Sequence, residues 1–137
     1  MINKVVIPAA GMGTRLLTIT KEIPKEMLPL HNRNSNGVIC LKPVVQLVYE
    51  QLFNAGFKEF CFIVGRGKRT IEDHFSPDQR YLARLEESGR SQESRDLEEF
   101  YKKIGKSTII WINQPTPKGF GHAIQQAKSF TNQEPFL

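Results

Sequence analysis

The sequence predicts an α/β fold of the Rossmann-like, three-layer α/β/α kind, with helices flanking a mostly parallel sheet. Three observations predict it. Short apolar runs stand at Val5-Val6-Ile7, Glu59 to Val64 and Thr108 to Ile112. The first two are apolar almost throughout, as strands covered on both faces require. Two of the runs lead into glycine- or proline-rich loops with helical periodicity beyond them, and a helix lies between the first two runs.

The first run is followed by Pro8-Ala9-Ala10-Gly11-Met12-Gly13-Thr14-Arg15-Leu16. Ala9, Ala10, Gly11 and Gly13 remove the side chains that would keep a phosphate away from main-chain N–H groups, so an anion belongs there. The spacing excludes two common phosphate loops. A Walker loop needs Lys-Ser/Thr after its last glycine, where this loop has Thr14-Arg15, and a dinucleotide fingerprint needs glycine where Leu16 stands. Gly13 to Thr20 can begin a short helix. Pro24 and Pro29 then interrupt regular structure on both sides of Lys25 and Glu26, making that segment a loop. A lysine between two prolines has a restricted backbone that suits the placing of one charge on a phosphate; spacing alone equally allows a solvated surface lysine.

His31 to Gly37 is polar and turn-rich and reads as a surface loop. Pro43 opens a helix through Val44, Val45, Leu47, Val48, Gln51, Leu52 and Ala55, with Gly56 as its stop. The second strand delivers Gly65-Arg66-Gly67-Lys68-Arg69 at its carboxyl end, the edge where open α/β sheets bind ligands. These cations either face phosphates or are solvated. Pro77 to Gly105 reads as two amphipathic helices broken at Ser88-Gly89-Arg90-Ser91, anchored by Leu82, Leu85, Leu97, Phe100, Tyr101 and Ile104. The third strand runs into Asn113-Gln114-Pro115-Thr116-Pro117-Lys118-Gly119-Phe120-Gly121-His122, followed by a helix from Ala123 to Phe130. Gln114 offers an amide donor and an acceptor to a pyrimidine edge, and Gly119 lets a base or ribose lie against backbone. His122 is read as a helix-start or packing residue rather than a general base, because phosphate oxygens need little deprotonation near neutral pH.

The 137 residues carry a formal net charge of +5, which alone fits a phosphorylated substrate, nucleic acid or a membrane surface. The basic residues are dispersed without interleaved aromatic side chains, against a nucleic-acid partner. The apolar run at Met1–Ala10 is short and ends in loop chemistry, so neither a leader nor a membrane span is expected, and the expected location is the cytoplasm. Cys40 and Cys61 are too few and too far apart for a zinc knuckle or redox pair.

Gly11-x-Gly13-Thr14-Arg15-Leu16 followed by Pro24-Lys25-Glu26-Met27-Leu28-Pro29 resembles the signature of the nucleotidylyltransferases that join a nucleoside triphosphate to a sugar 1-phosphate. With Gly65 to Arg69 and Ile71-Glu72-Asp73-His74-Phe75, it is similar to the UTP:glucose-1-phosphate uridylyltransferase branch. The stretch from His31 to Gly37 is longer than the bacterial pattern and points towards an archaeal-type form. The resemblance implies UTP and a sugar 1-phosphate as substrates and places Ala9, Ala10 and Gly11 along base and ribose. It places Gly13, Thr14 and Arg15 on the triphosphate, Lys25 on the reacting phosphates, Glu26 as an orienting group, and Gln114 and Gly119 at the base. Arg15 and Lys25 are the expected catalytic residues. It further implies Mg²⁺ held by an Asp beyond Leu137, a homo-oligomer, and a family length about twice this one. The chain is therefore expected to be the N-terminal nucleotide-binding part, truncated and without turnover by itself. A thymidylyltransferase, a related sugar-nucleotide pyrophosphorylase or a non-catalytic nucleotide-binding module are the alternatives.

Overall fold

The computed structural model describes residues 1–137. Strand β1 (Lys4–Pro8) pairs in parallel with β4 (Glu59–Val64), which pairs in parallel with β5 (Thr108–Asn113), giving the order β1-β4-β5. At the other edge of β1, the Val6 N–H donates to the Leu137 carbonyl at 2.9 Å and the Leu137 N–H donates to the Lys4 carbonyl at 3.0 Å. This fourth position, marked by the parallel bridge between Lys4 and Phe136, makes β1 the strand from which the order runs both ways.

Each face of the sheet has its own core. Val5, Phe60, Phe62 and Val64 pack against α1 (Val44–Asn54), α2 (Arg69–His74) and α4 (Ser91–Gly105) through Val45, Tyr49, Ile71, Phe75 and Phe100. Tyr49, Phe75 and Phe100 meet edge to face, with ring centroids 5.2–6.0 Å apart, the geometry that aromatic quadrupoles favour. The opposite face carries Val6, Cys61 and Ile63 under α5 (Phe120–Gln126) and α6 (Lys128–Thr131), through Ala123, Ala127 and Phe130. Helices thus cover both faces, as the apolar strands require. Burial pushes the Cys61 thiol up to about 11, so it is an inert core group.

The structure departs from the sequence reading in three places. The expected loop from His31 to Gly37 belongs instead to an antiparallel hairpin of β2 (Pro29–Arg33) and β3 (Ile39–Pro43). Its turn is organised by Asn34, whose Oδ1 accepts from the N–H groups of Asn36 and Val38 at 3.0 and 2.9 Å, with Gly37 at φ 76°. The short helix expected from Gly13 to Thr20 is two 3₁₀ turns, Thr14–Leu16 and Ile19–Lys21. The last helix begins already at Phe120 and divides at Ala127. The two amphipathic helices stand as expected, α3 (Gln79–Glu87) and α4, with Asp78 capping the first by accepting from the Tyr81 N–H at 3.0 Å.

A polar network ties the hairpin to the helices. His74 is 2.9 Å from the Gln46 carbonyl, Gln46 donates to Glu50 at 2.8 Å, and Lys42 and Lys103 reach Glu50 at 2.8 and 3.2 Å. Burial pushes the His74 pKa below its ordinary value against the pull of Glu50. Burial would raise the Glu50 pKa, but its hydrogen bonds and the charges of Lys42 and Lys103 outweigh that and hold it low. In both cases the unfolded chain binds protons more readily, so stability is present at high pH and falls as pH drops. Melting temperature should therefore decline from about pH 6.5 downward, with a second decline below about 4.5. In a His74→Gln variant the first decline should be missing; a full decline there would assign it elsewhere.

Candidate nucleotide-binding site

Parallel pairing brings the carboxyl ends of β1, β4 and β5 to one edge, and the loops that leave them touch. A side chain on Gly65 would put its Cβ 3.5 Å from the Gln114 carbonyl oxygen and 3.6 Å from the Ala10 Cβ, so this glycine lies between the first and third loops. The pairing continues one step past the strands. Ala9 N–H donates to the Ile63 carbonyl and Gln114 N–H donates to the Val64 carbonyl, each at 2.7 Å, fixing where both loops begin.

No main-chain N–H from Ala10 to Arg15 is committed to a hydrogen bond within the chain. Backbone donors left free on a surface loop are the elements of an anion cradle. Gly13 turns the loop at φ 66°, and a Cβ there would come 3.1 Å from the Thr20 side chain. Thr20 Oγ1 donates to the Gly13 carbonyl at 2.7 Å, which keeps that carbonyl from facing an incoming anion. Lys25 Nζ lies 3.8 Å from where a Cβ on Gly11 would stand, and it has no ion pair or hydrogen bond within the chain. A free ammonium against free amides is suited to a polyphosphate.

Two adjoining hollows open here and share Ala10, Gly11, Gln114 and Pro117. One, of about 390 Å³, extends along Thr20 to Pro24 and Gly65 to Lys68. The other, of about 240 Å³, is bounded by Lys25, Gly119, Phe120 and Ala123. Gly119 has φ 92° and begins α5, a backbone conformation that a side chain resists. A larger hollow of about 750 Å³ lies between the hairpin and helices α3 and α4, where Leu41, Leu85 and Leu97 stand beside Lys42, Arg90, Glu93 and Asp96.

The structure brings Ala10, Gly11, Lys25, Gln114 and Gly119 to one cleft. Gly13, Thr14 and Arg15 belong to the same loop but do not line these hollows; Arg15 is exposed and unpaired. Two expectations need correction. Ala9 is fully buried in the aromatic core and its N–H is already bonded, so it offers no surface to a base or ribose. Glu26 lines neither hollow: it is buried, and its Oε2 accepts from Lys68 Nζ at 2.8 Å. The pair bolts the Lys25 loop to the start of α2.

Of the cations after β4, Arg66 lines the larger of the adjoining hollows, Lys68 is paired beneath it, and Arg69 faces solvent near Asp73. A partner of Gln114 escaped the sequence reading. His122 Nδ1 is 2.8 Å from Gln114 Nε2, and only the eight-residue spacing across the turn into α5 hinted at it.

Comparison with known proteins shows the family and the fold. The sequence pattern of the nucleotidyl transferase family matches residues 4–137. The UTP–glucose-1-phosphate uridylyltransferase of Bacillus subtilis is 39% identical over 135 residues, which is 98% of this chain and 42% of that protein. A Methanocaldococcus jannaschii protein provisionally given the same name is 42% identical over all 137 residues, 44% of its length. A UTP-bound pyrophosphorylase of the same kind from Acinetobacter baumannii superposes with a TM-score of 0.84 at 29% identity, over 99% of this chain and 44% of that one. The chain thus spans less than half the length of these relatives.

Proposed function

Because the chain belongs to the nucleotidyl transferase family, we propose that it supplies the nucleotide-binding part of an enzyme that joins UTP to glucose 1-phosphate, releasing pyrophosphate and UDP-glucose. The observation that supports this most directly is the shared cleft: uncommitted loop amides and the Lys25 ammonium at one side, the Gln114 amide at the other. In the proposed reaction an oxygen of the sugar 1-phosphate attacks the α-phosphorus of UTP in line with the leaving pyrophosphate. The nucleophile is already an anion, so no general base is needed. The protein's task is to hold two polyanions together and to neutralise charge where it builds up.

Lys25 is assigned to the reacting phosphates, and Gly13, Thr14 and Arg15 to the triphosphate. Ala10 and Gly11 are assigned to the ribose and base, with Gln114 and Gly119 at the base edge. Mg²⁺ is proposed for the complete protein on the strength of the resemblance, which places its Asp beyond Leu137. The residues here do not form a donor set for it: no three His, Cys, Asp or Glu side chains cluster, and Glu26 is tied to Lys68. A homo-oligomer in the cytoplasm is proposed as well. The exposed apolar side chains of Leu30, Ile39 and Leu41 on the hairpin favour self-association, and no helix is long and apolar enough to cross a membrane.

The test is pyrophosphate release by the complete gene product from glucose 1-phosphate with UTP, dTTP, ATP or GTP in turn. UTP should be preferred. Equal release from dTTP rejects the uridylyl assignment, and no release from any of them leaves a binding module.

A further inference from the structure

The hairpin leaves one strand edge unpaired, and a row of open N–H and C=O groups is a template for another strand. Its register sets Asn32 opposite Cys40 and Leu30 opposite Lys42, and just past the strands the Asn34 N–H donates to the Val38 carbonyl at 2.9 Å. Only alternate residues bond across an antiparallel ladder. That parity turns the N–H and C=O groups of Cys40 and Lys42 towards β2 and those of Ile39 and Leu41 away from it, where they take no hydrogen bond within the chain. They open on the hollow of about 750 Å³, which Val38 to Pro43 line in unbroken succession while β2 gives it only His31.

Natural edges are blunted by lysine, proline, a bulge or a covering element. This one presents Ile39 and Leu41, which are 64% and 62% exposed. Lys42 does not guard it, because its ammonium is drawn to Glu50 of α1 at 2.8 Å. The edge is also its own complement. Turned about a two-fold axis through Cys40, a second β3 sets Ile39 opposite Leu41 of the other copy. Both residues have outward groups, so each such pair exchanges its N–H and C=O hydrogen bonds. Val38 then stands opposite Lys42, and no like charges face each other across the pair. The match needs no sequence beyond this strand, which favours a second copy over an unrelated extended peptide.

We propose that β3 is an interface between two copies of the chain, joined edge to edge so that the two-stranded hairpins form one antiparallel sheet. The proposal rests on the homo-oligomer reading and names its surface. A two-stranded hairpin is marginal by itself, and pairing brings Ile39 and Leu41 of both copies into one apolar stripe. Tyr81, Leu85 and Leu97 stand across the hollow as the wall on which the incoming strand settles. The two Cys40 residues meet on the axis as a pair without mutual hydrogen bonds, about 4.5 Å apart at Cα, a separation that a disulfide spans.

Sedimentation of the complete gene product over a range of concentrations tests this with wild type, Leu41→Lys and Ile39→Pro. The lysine places a charge on the contact, and the proline deletes an outward N–H while sparing the bonds to β2. Association should weaken by about thirtyfold or more in each, as when a central interface residue is lost. Mild copper-catalysed oxidation by oxygen should link two wild-type copies through Cys40, and the link should vanish in both Cys40→Ser and Leu41→Lys; Cys61 is fully buried and cannot supply it. An oligomer unchanged in the edge variants, with no Cys40-linked dimer, overturns the proposal while leaving the homo-oligomer in place. A monomeric wild type overturns both. Weakened association without the Cys40 link overturns the two-fold pairing. Should the proline variant fail to fold, Leu41→Lys carries the same expectation, since that side chain is exposed and the core does not use it.

Discussion

Replacing Lys25 by Met is expected to lower kcat for UTP-dependent pyrophosphate release in the complete protein by about 10²- to 10³-fold, the loss typical of removing one preorganised charge-stabilising group. Thermal stability should barely change. Lys25 is exposed, makes no ion pair and no hydrogen bond, and sits on a 3₁₀ turn that Met also tolerates, so folding gains nothing from its charge. What the charge does is stand over Gly11 beside amides that no other group occupies. Charge that grows on the phosphates in the transition state meets an ammonium already in place, and the loss should appear in kcat more than in KM. A fall below about tenfold would return Lys25 to the solvated surface lysine that its spacing equally permits. Steady-state kinetics beside a melting curve separate the two outcomes.

The strands and their loops were legible because burial leaves a plain mark on composition. Phe60 to Val64 lie between two cores and are therefore continuously apolar, and the glycines at Gly11, Gly13 and Gly119 stand where backbone must approach or turn. The hairpin was not legible for the converse reason. His31, Arg33, Ile39 and Leu41 are all exposed, so no alternation between core and solvent records its register. Ala9 and Ala10 look alike in sequence and separate only in three dimensions: the pleat turns one into the aromatic core and leaves the other at the cleft. Glu26 and Lys68 are far apart in sequence, and nothing local could reveal that two charged residues in glycine- and proline-rich loops are both buried against each other. A charge is read as solvated unless its partner is known, and here the fold alone supplies the partner.

That pair sets the second large effect. Lys68→Met is expected to destabilise the protein by about 3–5 kcal/mol, the cost of leaving a buried charge without its counter-ion. The side chains of Lys68 and Glu26 are 8% and 11% exposed, and Glu26 Oε1 already lacks a hydrogen-bond partner, so solvent does little to compensate once Nζ is gone. Adding Glu26→Leu should recover most of the stability, since replacing both ions with apolar groups of similar size is often close to neutral. Urea unfolding of the single and double variants measures both steps. If the pair only stabilised the fold, the double variant would also recover activity. It should not: Glu26 is next to Lys25 on the same 3₁₀ turn, and its bond to the start of α2 is what holds that turn under the cleft. With apolar contact in place of a directed 2.8 Å ion pair, the Lys25 ammonium loses its registration over Gly11. Misplacement by about 1 Å can cost on the order of 10²-fold in rate. A stable, slow double variant would mark the pair as a positioning device; a stable variant of wild-type activity would reduce it to an ordinary fastening between two loops.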